Sequence, residues 1–554
     1  MKKNDVLKLL VFPFLIAPGL IACGSTGKTI TSINFQYATG NEYVVGEKVH
    51  ENNNKIVVKY SDGSEDYIKC SDEAITITGD TTTTGKKKGT LTYKKQTLEF
   101  DYTVYEENTA DVSVDGGVIH GYYNEDKTLN IYKGIPFAAP PINNNRWRAP
   151  KDVEPWSGVK NCFHFGPNSY QGQVKNNDYF ITNWNGFSED CLYLNIWAKN
   201  DNVKNKPVLI YIHGGGNTTG GASVPIYYGE NIAKLDAILV SINYRLGVFG
   251  FLSTDELIAE NEGSGSFAIL DIIKSISWVK NNIDKFGGDP NNICIMGQSA
   301  GAANVGAVLA SPLAVGLFQK AMICSGNPIG GDIASWNNQT AKEKADSTNN
   351  KENKTIAELR ALPTSEVSKY INNYTSRSCI DGYVLDKSIP EAILSGRNKD
   401  VIVTIGNVTG DTSLGDGVKD DEGLTGIQKT IGALNVFAQA RLKGGATNTY
   451  TYYYDYIQNG ADKAYHTDDI TFWLGNNTNY YGEFSAQDKA KSASLSAKLV
   501  NYLKTGLFCE DWLLSSGDYG YYHIGNVDQM DKLSDATITA YEQMFDAPNY
   551  IRTL

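Results

Sequence analysis

The sequence predicts an α/β protein with a mostly parallel central sheet flanked by helices, preceded by a small all-β sandwich. Three observations carry this. Pro207-Val-Leu-Ile-Tyr-Ile212, Ala237-Ile-Leu-Val-Ser-Ile242 and Asn292-Ile-Cys-Ile-Met296 are continuous apolar runs, the pattern of strands buried on both faces. Strands alternate with helical segments from Asp111 onward, and in Ile269 to Ile283 the apolar residues at 269, 270, 272, 273, 276, 279 and 283 share one helical face. Residues 28–105 lack helical periodicity and offer short runs rich in Val, Ile, Thr and Tyr, such as Lys55 to Tyr60 and Thr90 to Tyr93, with turns at Ser61-Asp-Gly63 and Thr84-Gly-Lys86.

Taken from the start, the chain opens with Lys2 and Lys3 and an apolar stretch that ends at Leu20-Ile-Ala-Cys23. The uncharged run from Leu9 to Ala22 holds Pro13 and Pro18 and is too short for a bilayer core of roughly 30 Å, so it reads as an export signal. Leu-Ile-Ala-Cys resembles the bacterial lipobox, which implies a diacylated Cys23 that tethers the protein to the outer face of a membrane without spanning it. The sequence thus predicts a lipoprotein signal over residues 1–23, the sandwich over 24–106 and the α/β domain over 107–554. The stretch through Tyr43-Val-Val-Gly46, Val57 to Gly63 and Phe100 to Val104 resembles bacterial Ig-like domains, which serve as spacers or as cell-wall and glycan contacts. Residues 331–360 and 412–430 are polar and helix-compatible and read as excursions from the sheet.

With 41% hydrophobic and 20% charged residues the chain is ordinary globular protein. Its formal net charge of −12 excludes a nucleic-acid partner, because phosphate binding needs a basic face. Of eight cysteines, Cys23 is assigned to the lipid, so at least one of the other seven stays unpaired. Cys162 and Cys191, which enclose a polar stretch, are the best candidates for a disulfide; Cys294 and Cys324 sit in buried apolar runs and read as inert thiols.

The chemistry begins at Gly297-Gln-Ser-Ala-Gly301, between the Asn292 to Met296 strand and a small-residue helix from Ala302 to Val308. Strand, sharp glycine-flanked turn and helix together form a nucleophile elbow with Ser299 as nucleophile. An oxyanion needs pre-aligned N–H donors. His213-Gly-Gly-Gly216, directly after the Pro207 to Ile212 strand, supplies Gly215 and Gly216, joined by the N–H of Ala300. The general base follows by elimination among six histidines. His50 lies in the sandwich and His213 in the glycine loop, and His120 and His164 precede the serine, whereas hydrolases with this elbow run Ser, acid, His. His466 and His523 remain.

These residues resemble the type-B carboxylesterase and cholinesterase family over roughly residues 111–545. The marks are Tyr132-Lys-Gly-Ile-Pro-Phe-Ala-Ala-Pro-Pro141, Ser188-Glu-Asp-Cys-Leu-Tyr-Leu-Asn195, Asn243-Tyr-Arg-Leu-Gly-Val-Phe-Gly-Phe251, Phe286-Gly-Gly-Asp-Pro290 and Leu317-Phe-Gln-Lys-Ala-Met-Ile-Cys-Ser-Gly326. The resemblance implies an α/β-hydrolase fold, a Cys162–Cys191 disulfide, and ion pairs Arg146–Glu189 and Arg245–Asp271. It favours His466, whose segment Ala464 to Gly475 is similar to the family's histidine loop, over His523 in an aromatic strand-like run. It also places the acid after the strand Val401 to Gly406, at Asp411, with Asp416, Asp420, Asp421 and Glu422 as competitors. The expected activity is hydrolysis of a small-molecule carboxylic ester through an acyl-enzyme. A non-enzymatic surface adhesion protein is the rival, and amide hydrolysis by the same triad stays open. Departures from the family are Gln298 where cholinesterases have a glutamate, Asn217 in place of an aromatic residue after the glycines, and a short interval from Ser299 to His466.

Gly263-Ser-Gly-Ser-Phe-Ala268 matches a dinucleotide fingerprint but follows no strand, and Gly79 to Lys87 resembles a phosphate loop with wrong spacing. Neither implies a cofactor. With no H-E-x-x-H and no C-x-x-C, no metal is expected.

Overall fold

A computed structural model describes residues 28–35, 42–49, 55–171, 186–329, 336–337, 354–370, 377–411, 424–479 and 482–545. The leader with Cys23, His50, the competitors Asp416, Asp420, Asp421 and Glu422, and most of the polar stretch 331–353 lie outside the described residues.

Two sheets build the N-terminal sandwich. Ile30–Phe35, Lys55–Tyr60 and Glu65–Lys69 form one; Glu42–Val44, Gln96–Tyr105, Gly85–Tyr93 and Ile75–Thr78 form the other, in that order. Inward-facing residues of both, including Ile33, Ile56, Val58, Leu91, Phe100, Tyr102 and Val104, close one core between them. Gly85 opens a strand instead of sitting within a turn, with a φ of +108° that L side chains rarely adopt.

The catalytic domain is organised on a sheet of 13 strands. In chain order these are β1 (Glu107–Val114), β2 (Gly117–Tyr123), β3 (Leu129–Pro136), β4 (Val159–Asn161), β5 (Tyr193–Lys199), β6 (Lys206–Ile212), β7 (Ile238–Ile242), β8 (Gly288–Gln298), β9 (Lys320–Cys324), β10 (Ile402–Val408), β11 (Thr449–Tyr454), β12 (Gly520–Ile524) and β13 (Asp528–Lys532). Their order across the sheet is β4-β2-β3-β5-β7-β6-β8-β9-β10-β11-β12-β13, with β1 on β2. The block from β7 to β12 is parallel throughout, while β1, β3, β5 and β13 run antiparallel to their neighbours.

The period of two explains why the central strands are apolar on both faces. Val208, Ile210 and Ile212 of β6, with Ile293 and Ile295 of β8, enter one core; Leu209, Tyr211, Cys294 and Met296 enter the other. Helix α1 (Phe267–Asn282) covers the first face with Ile269, Ile272, Ile276 and Val279. Helix α5 (Ala486–Thr505) covers the second with Leu495, Leu499, Tyr502 and Leu503. Between them in the chain lie α2 (Ala300–Ala310), α3 (Gly426–Lys443) and α4 (Asp468–Leu474). The second core is strongly aromatic: Trp512 stacks on Phe508 and Tyr522, with ring centroids 4.0 and 4.4 Å away.

The sandwich is joined tightly to this body. Its last strand ends at Tyr105 and β1 starts at Glu107, while the carbonyl of Glu106 accepts a 2.9 Å bond from Tyr123 N–H. Glu42 of the sandwich pairs with Lys133, a β3 ammonium whose side chain is only 2% exposed. The rings of Phe165, Tyr228 and Tyr122 lie 4.5, 5.2 and 5.5 Å from that ammonium. Nearby, Glu47 pairs with His164 at 2.9 Å. Both ion pairs expected in the catalytic domain are present and buried: Arg146 grips Glu189 with two bonds of 2.6 Å, and Arg245 grips Asp271 with two of 2.7 Å.

Candidate active site

Strand β8 delivers Ser299 at its C-terminal end, the edge where ligands meet an α/β sheet. Ser299 adopts φ +56° and ψ −124°, then α2 begins at Ala300. A non-glycine residue holds such a conformation only where its surroundings enforce it. Here the enforcement is close packing: a Cβ on Gly297 would strike the carbonyl of Gly301, and one on Gly301 would strike the carbonyls of Ile212 and His213 at the end of β6. Ser299 N–H donates to Cys324 O at 2.9 Å, tying the elbow to β9.

The glycine loop after β6 lies directly alongside. A Cβ on Gly214 would come within 3.0 Å of Ser299 Cβ, and Gly215 and Gly216 take φ of +96° and +62°. Gly215 O accepts bonds from the N–H groups of Thr218 and Thr219 at 3.1 and 3.0 Å, closing the loop into a tight turn. His213 is buried, donates from Nδ1 to Gly214 O at 2.9 Å and stacks on Tyr244 with centroids 4.5 Å apart. Burial lowers its pKa to about 4, so the ring is neutral and structural. Tyr244 OH donates to His213 O at 2.7 Å and Asn217 Oδ1 at 3.2 Å. Asn217 thereby secures the loop from below. Ala303 is the residue of α2 whose N–H returns to Ser299 O, at 3.0 Å. Ala300 opens the helix, where a backbone N–H has no intrahelical acceptor.

His466 follows β11 in the loop that enters α4, and Asp411 closes a short 3-10 turn after β10. The two loops touch because residue 410 is glycine: a Cβ there would sit 2.7 Å from the Tyr465 Cα and 2.8 Å from His466 N. His466 Nδ1 lies 2.5 Å from Asp411 Oδ1. Asp411 Oδ2 accepts from Asn407 Nδ2 at 3.0 Å and Val408 N–H at 2.9 Å, so this carboxylate, 8% exposed, is fully committed. Burial acts to lower the pKa of His466, but the hydrogen bond and charge of Asp411, with Asp469 and Asp468 behind, outweigh it and hold the pKa above the ordinary value of 6.5. The imidazole Nε2 faces the elbow, where Gln298 Nε2 lies 3.0 Å away. Ser299 Oγ makes no hydrogen bond among the described residues.

The other described histidines are engaged elsewhere: His120 between Glu107 and Asp111, His164 on Glu47, and His523 in β12 on Asp455. Among the described residues no group of His, Cys, Asp and Glu is arranged to hold a metal.

Residues 108–431, more than half of the chain, match the carboxylesterase family. The chain belongs to that family. Residues 36–104 match a bacterial Ig-like domain of group 3. Over 309 residues the chain is 33% identical to a fumonisin B1 esterase of Sphingopyxis macrogoltabida, covering 52% of this chain and 54% of that protein. Over 226 residues it is 40% identical to carboxylesterase 1E of Rattus norvegicus, covering 39% of each. The chain thus spans about half or less of the length of these relatives. A solved carboxylesterase of Geobacillus stearothermophilus superposes with a TM-score of 0.66 at 27% identity, covering 78% of this chain and 99% of that one.

Within this carboxylesterase fold, one implied feature is corrected. Cys162 and Cys191 are both free thiols. They belong to one core but meet different neighbours, Tyr132 and Lys160 beside Cys162, Ser169 and the Arg245–Asp271 pair beside Cys191. Burial raises both thiols, Cys162 to about 12, so each is held neutral.

Two residues of the site were not assigned roles from sequence. Gln298 stood out only as a departure from the cholinesterase pattern, and its bond to His466 is a product of folding. Asp469 reads as one of two acidic residues opening a helix, yet it is wholly buried behind His466. Its Oδ2 accepts from Tyr452 OH at 2.7 Å, Oδ1 has no hydrogen-bond partner among the described residues, and burial raises its pKa to about 7.

Proposed function

We propose that this protein hydrolyses small-molecule carboxylic esters through an acyl-enzyme, with Ser299 as nucleophile, His466 as general base and Asp411 as the acid that orients it. The observation that supports this most is the line from buried Asp411 to His466 Nδ1, with Nε2 presented at the strained Gln298–Ser299 turn.

In acylation, Ser299 Oγ attacks the ester carbonyl carbon while its proton passes to His466 Nε2. Asp411 keeps the Nδ1–H directed and favours the imidazolium that forms. Negative charge on the former carbonyl oxygen is met by the N–H groups of Gly215, Gly216 and Ala300. Collapse of the tetrahedral centre breaks the ester C–O bond, and His466 Nε2–H protonates the departing alkoxide. Water, deprotonated by His466, then attacks the acyl carbon and Ser299 leaves with the proton returned.

The basic, proline-interrupted leader supports a further element of the reading, attachment through a lipidated Cys23 at the outer membrane face; Cys23→Ala should move the protein from the detergent phase to the aqueous phase.

The test of the catalytic reading is Ser299→Ala against an aryl acetate, with a fluorophosphonate probe on the parent protein. Expected are a loss of turnover by several orders of magnitude and covalent labelling at Ser299. Retained turnover, or labelling at another residue, overturns the assignment, and an adhesion scaffold would show neither turnover nor labelling.

A further inference from the structure

The nitrogen that must take the serine proton is already in use. His466 Nε2 lies 3.0 Å from Gln298 Nε2, while Ser299 Oγ makes no hydrogen bond among the described residues. An amide nitrogen can only donate, so the imidazole nitrogen facing it must be the acceptor, and the single ring proton of a neutral His466 must sit on Nδ1, toward Asp411. The amide is buried. Gln298 is 2% exposed, and its Oε1 is packed against the glycine loop, 2.9 Å from where a Cβ on Gly214 would stand. Gln298 therefore spans from the oxyanion side of the site to the base.

Resting on the hydrolase reading above, we propose that Gln298 is a positioning residue. In the substrate-free site it holds His466 through Nε2, fixes the Nδ1–H tautomer, and yields that nitrogen to Ser299 Oγ when an ester enters. No bond is made or broken by Gln298 itself; one hydrogen bond is exchanged for another of the same kind. The residue type matters, because a carboxylate at this position accepts only and would favour a proton on Nε2, raising the pKa of His466 instead of lowering it.

The charged groups facing His466 are Asp411 from the loop after β10 and Asp468 and Asp469 from α4. None is altered by substitution at 298, so a change in the titration of His466 reports on Gln298. The experiment compares Gln298→Met, which keeps the length and loses the donor, with Gln298→Glu, which replaces the donor by an acceptor. The readout is kcat/KM for an aryl acetate as a function of pH. Removing a donor from the neutral ring makes it more basic, so Gln298→Met moves the acid limb to higher pH by up to about one pH unit. Gln298→Glu moves it further and depresses kcat/KM at neutral pH.

Each variant is also titrated with the fluorophosphonate probe, which reports whether Ser299 and His466 are still assembled. A labelled Gln298→Met protein whose acid limb superposes on that of the parent overturns the proposal. So does an equal fall in kcat for both variants with an unmoved limb, which is the signature of a residue that only fills space. Failure of the parent to label at Ser299 strikes the hydrolase reading itself and is told apart by that result alone.

Discussion

Removing the carboxylate of Glu42 tests whether the Ig-like domain and the catalytic domain form one cooperative body. The Lys133 ammonium that it meets is 2% exposed, and Glu42 itself is 24% exposed. Breaking a buried pair by deleting one partner costs about 3 to 5 kcal/mol, because the remaining charge is left without its counterion. Three terms lower that figure here. Water reaches part of Glu42; three aromatic rings present their faces within 5.5 Å of the ammonium, each worth about 0.5 to 1 kcal/mol; and Glu230, a mostly buried carboxyl whose pKa is raised by burial and opposed by Lys133, still lies in its field. The expected loss for Glu42→Ala is about 2 kcal/mol, which lowers the urea midpoint by roughly half a molar. Adding Lys133→Met removes the stranded charge, so the double variant should recover to within about 1 kcal/mol of the parent. Urea unfolding followed by tryptophan fluorescence measures all four proteins of the cycle. An unchanged midpoint for Glu42→Ala, or a double variant no more stable than Glu42→Ala, refutes the reasoning.

Three further outcomes follow from the site. Because Asp411 holds the His466 pKa above 6.5, the base is lost as pH falls through that raised value, and kcat/KM for an aryl ester should decline on an acid limb above pH 6.5. Asp411→Asn should cut kcat by about 10³ to 10⁴ and shift the limb to lower pH, since the carboxylate that favours the imidazolium is gone; a limb that stays in place excludes Asp411 as the partner. Asp469, raised from 3.8 to about 7, binds a proton in the folded state that the unfolded chain has lost, so its contribution to stability worsens as pH rises between those values. Asp469→Asn, compared with the parent in urea at pH 5 and pH 8, should gain a few kcal/mol relative to it at the higher pH, and an equal difference at both pH values counts against a buried, protonated carboxyl.

What the sequence disclosed was whatever repeats with a period or needs glycine. Val208 to Ile212 and Ile293 to Met296 alternate between two cores, so their double-sided hydrophobicity announced central strands. The elbow was legible because its packing leaves no room for a Cβ at Gly297 or Gly301. Asp411 could be named because the resemblance places the acid in the loop after the Val401 to Gly406 strand, but the reason it reaches His466, the absent side chain of Gly410, emerges only when two loops far apart in the chain are in contact. Contacts of that kind were invisible. Nothing local distinguishes Asp469 from Asp468, although one is sealed in the core beside Tyr452 and the other caps a turn by accepting from Tyr465 N–H. Lys133 looked like one residue of a motif, and its buried pairing with a carboxylate 91 positions earlier depends on how two domains meet. The paired state of Cys162 and Cys191 was an inference from relatedness and from a polar loop between them, and neither feature specifies what each sulfur faces.

The single residue that separates Tyr105 from Glu107 deprives the N-terminal domain of swing. A tether of that length has no slack, and its one carbonyl is already bonded to Tyr123. The bearing of the catalytic mouth is therefore set by the sandwich, as that of a lamp is set by a stiff bracket.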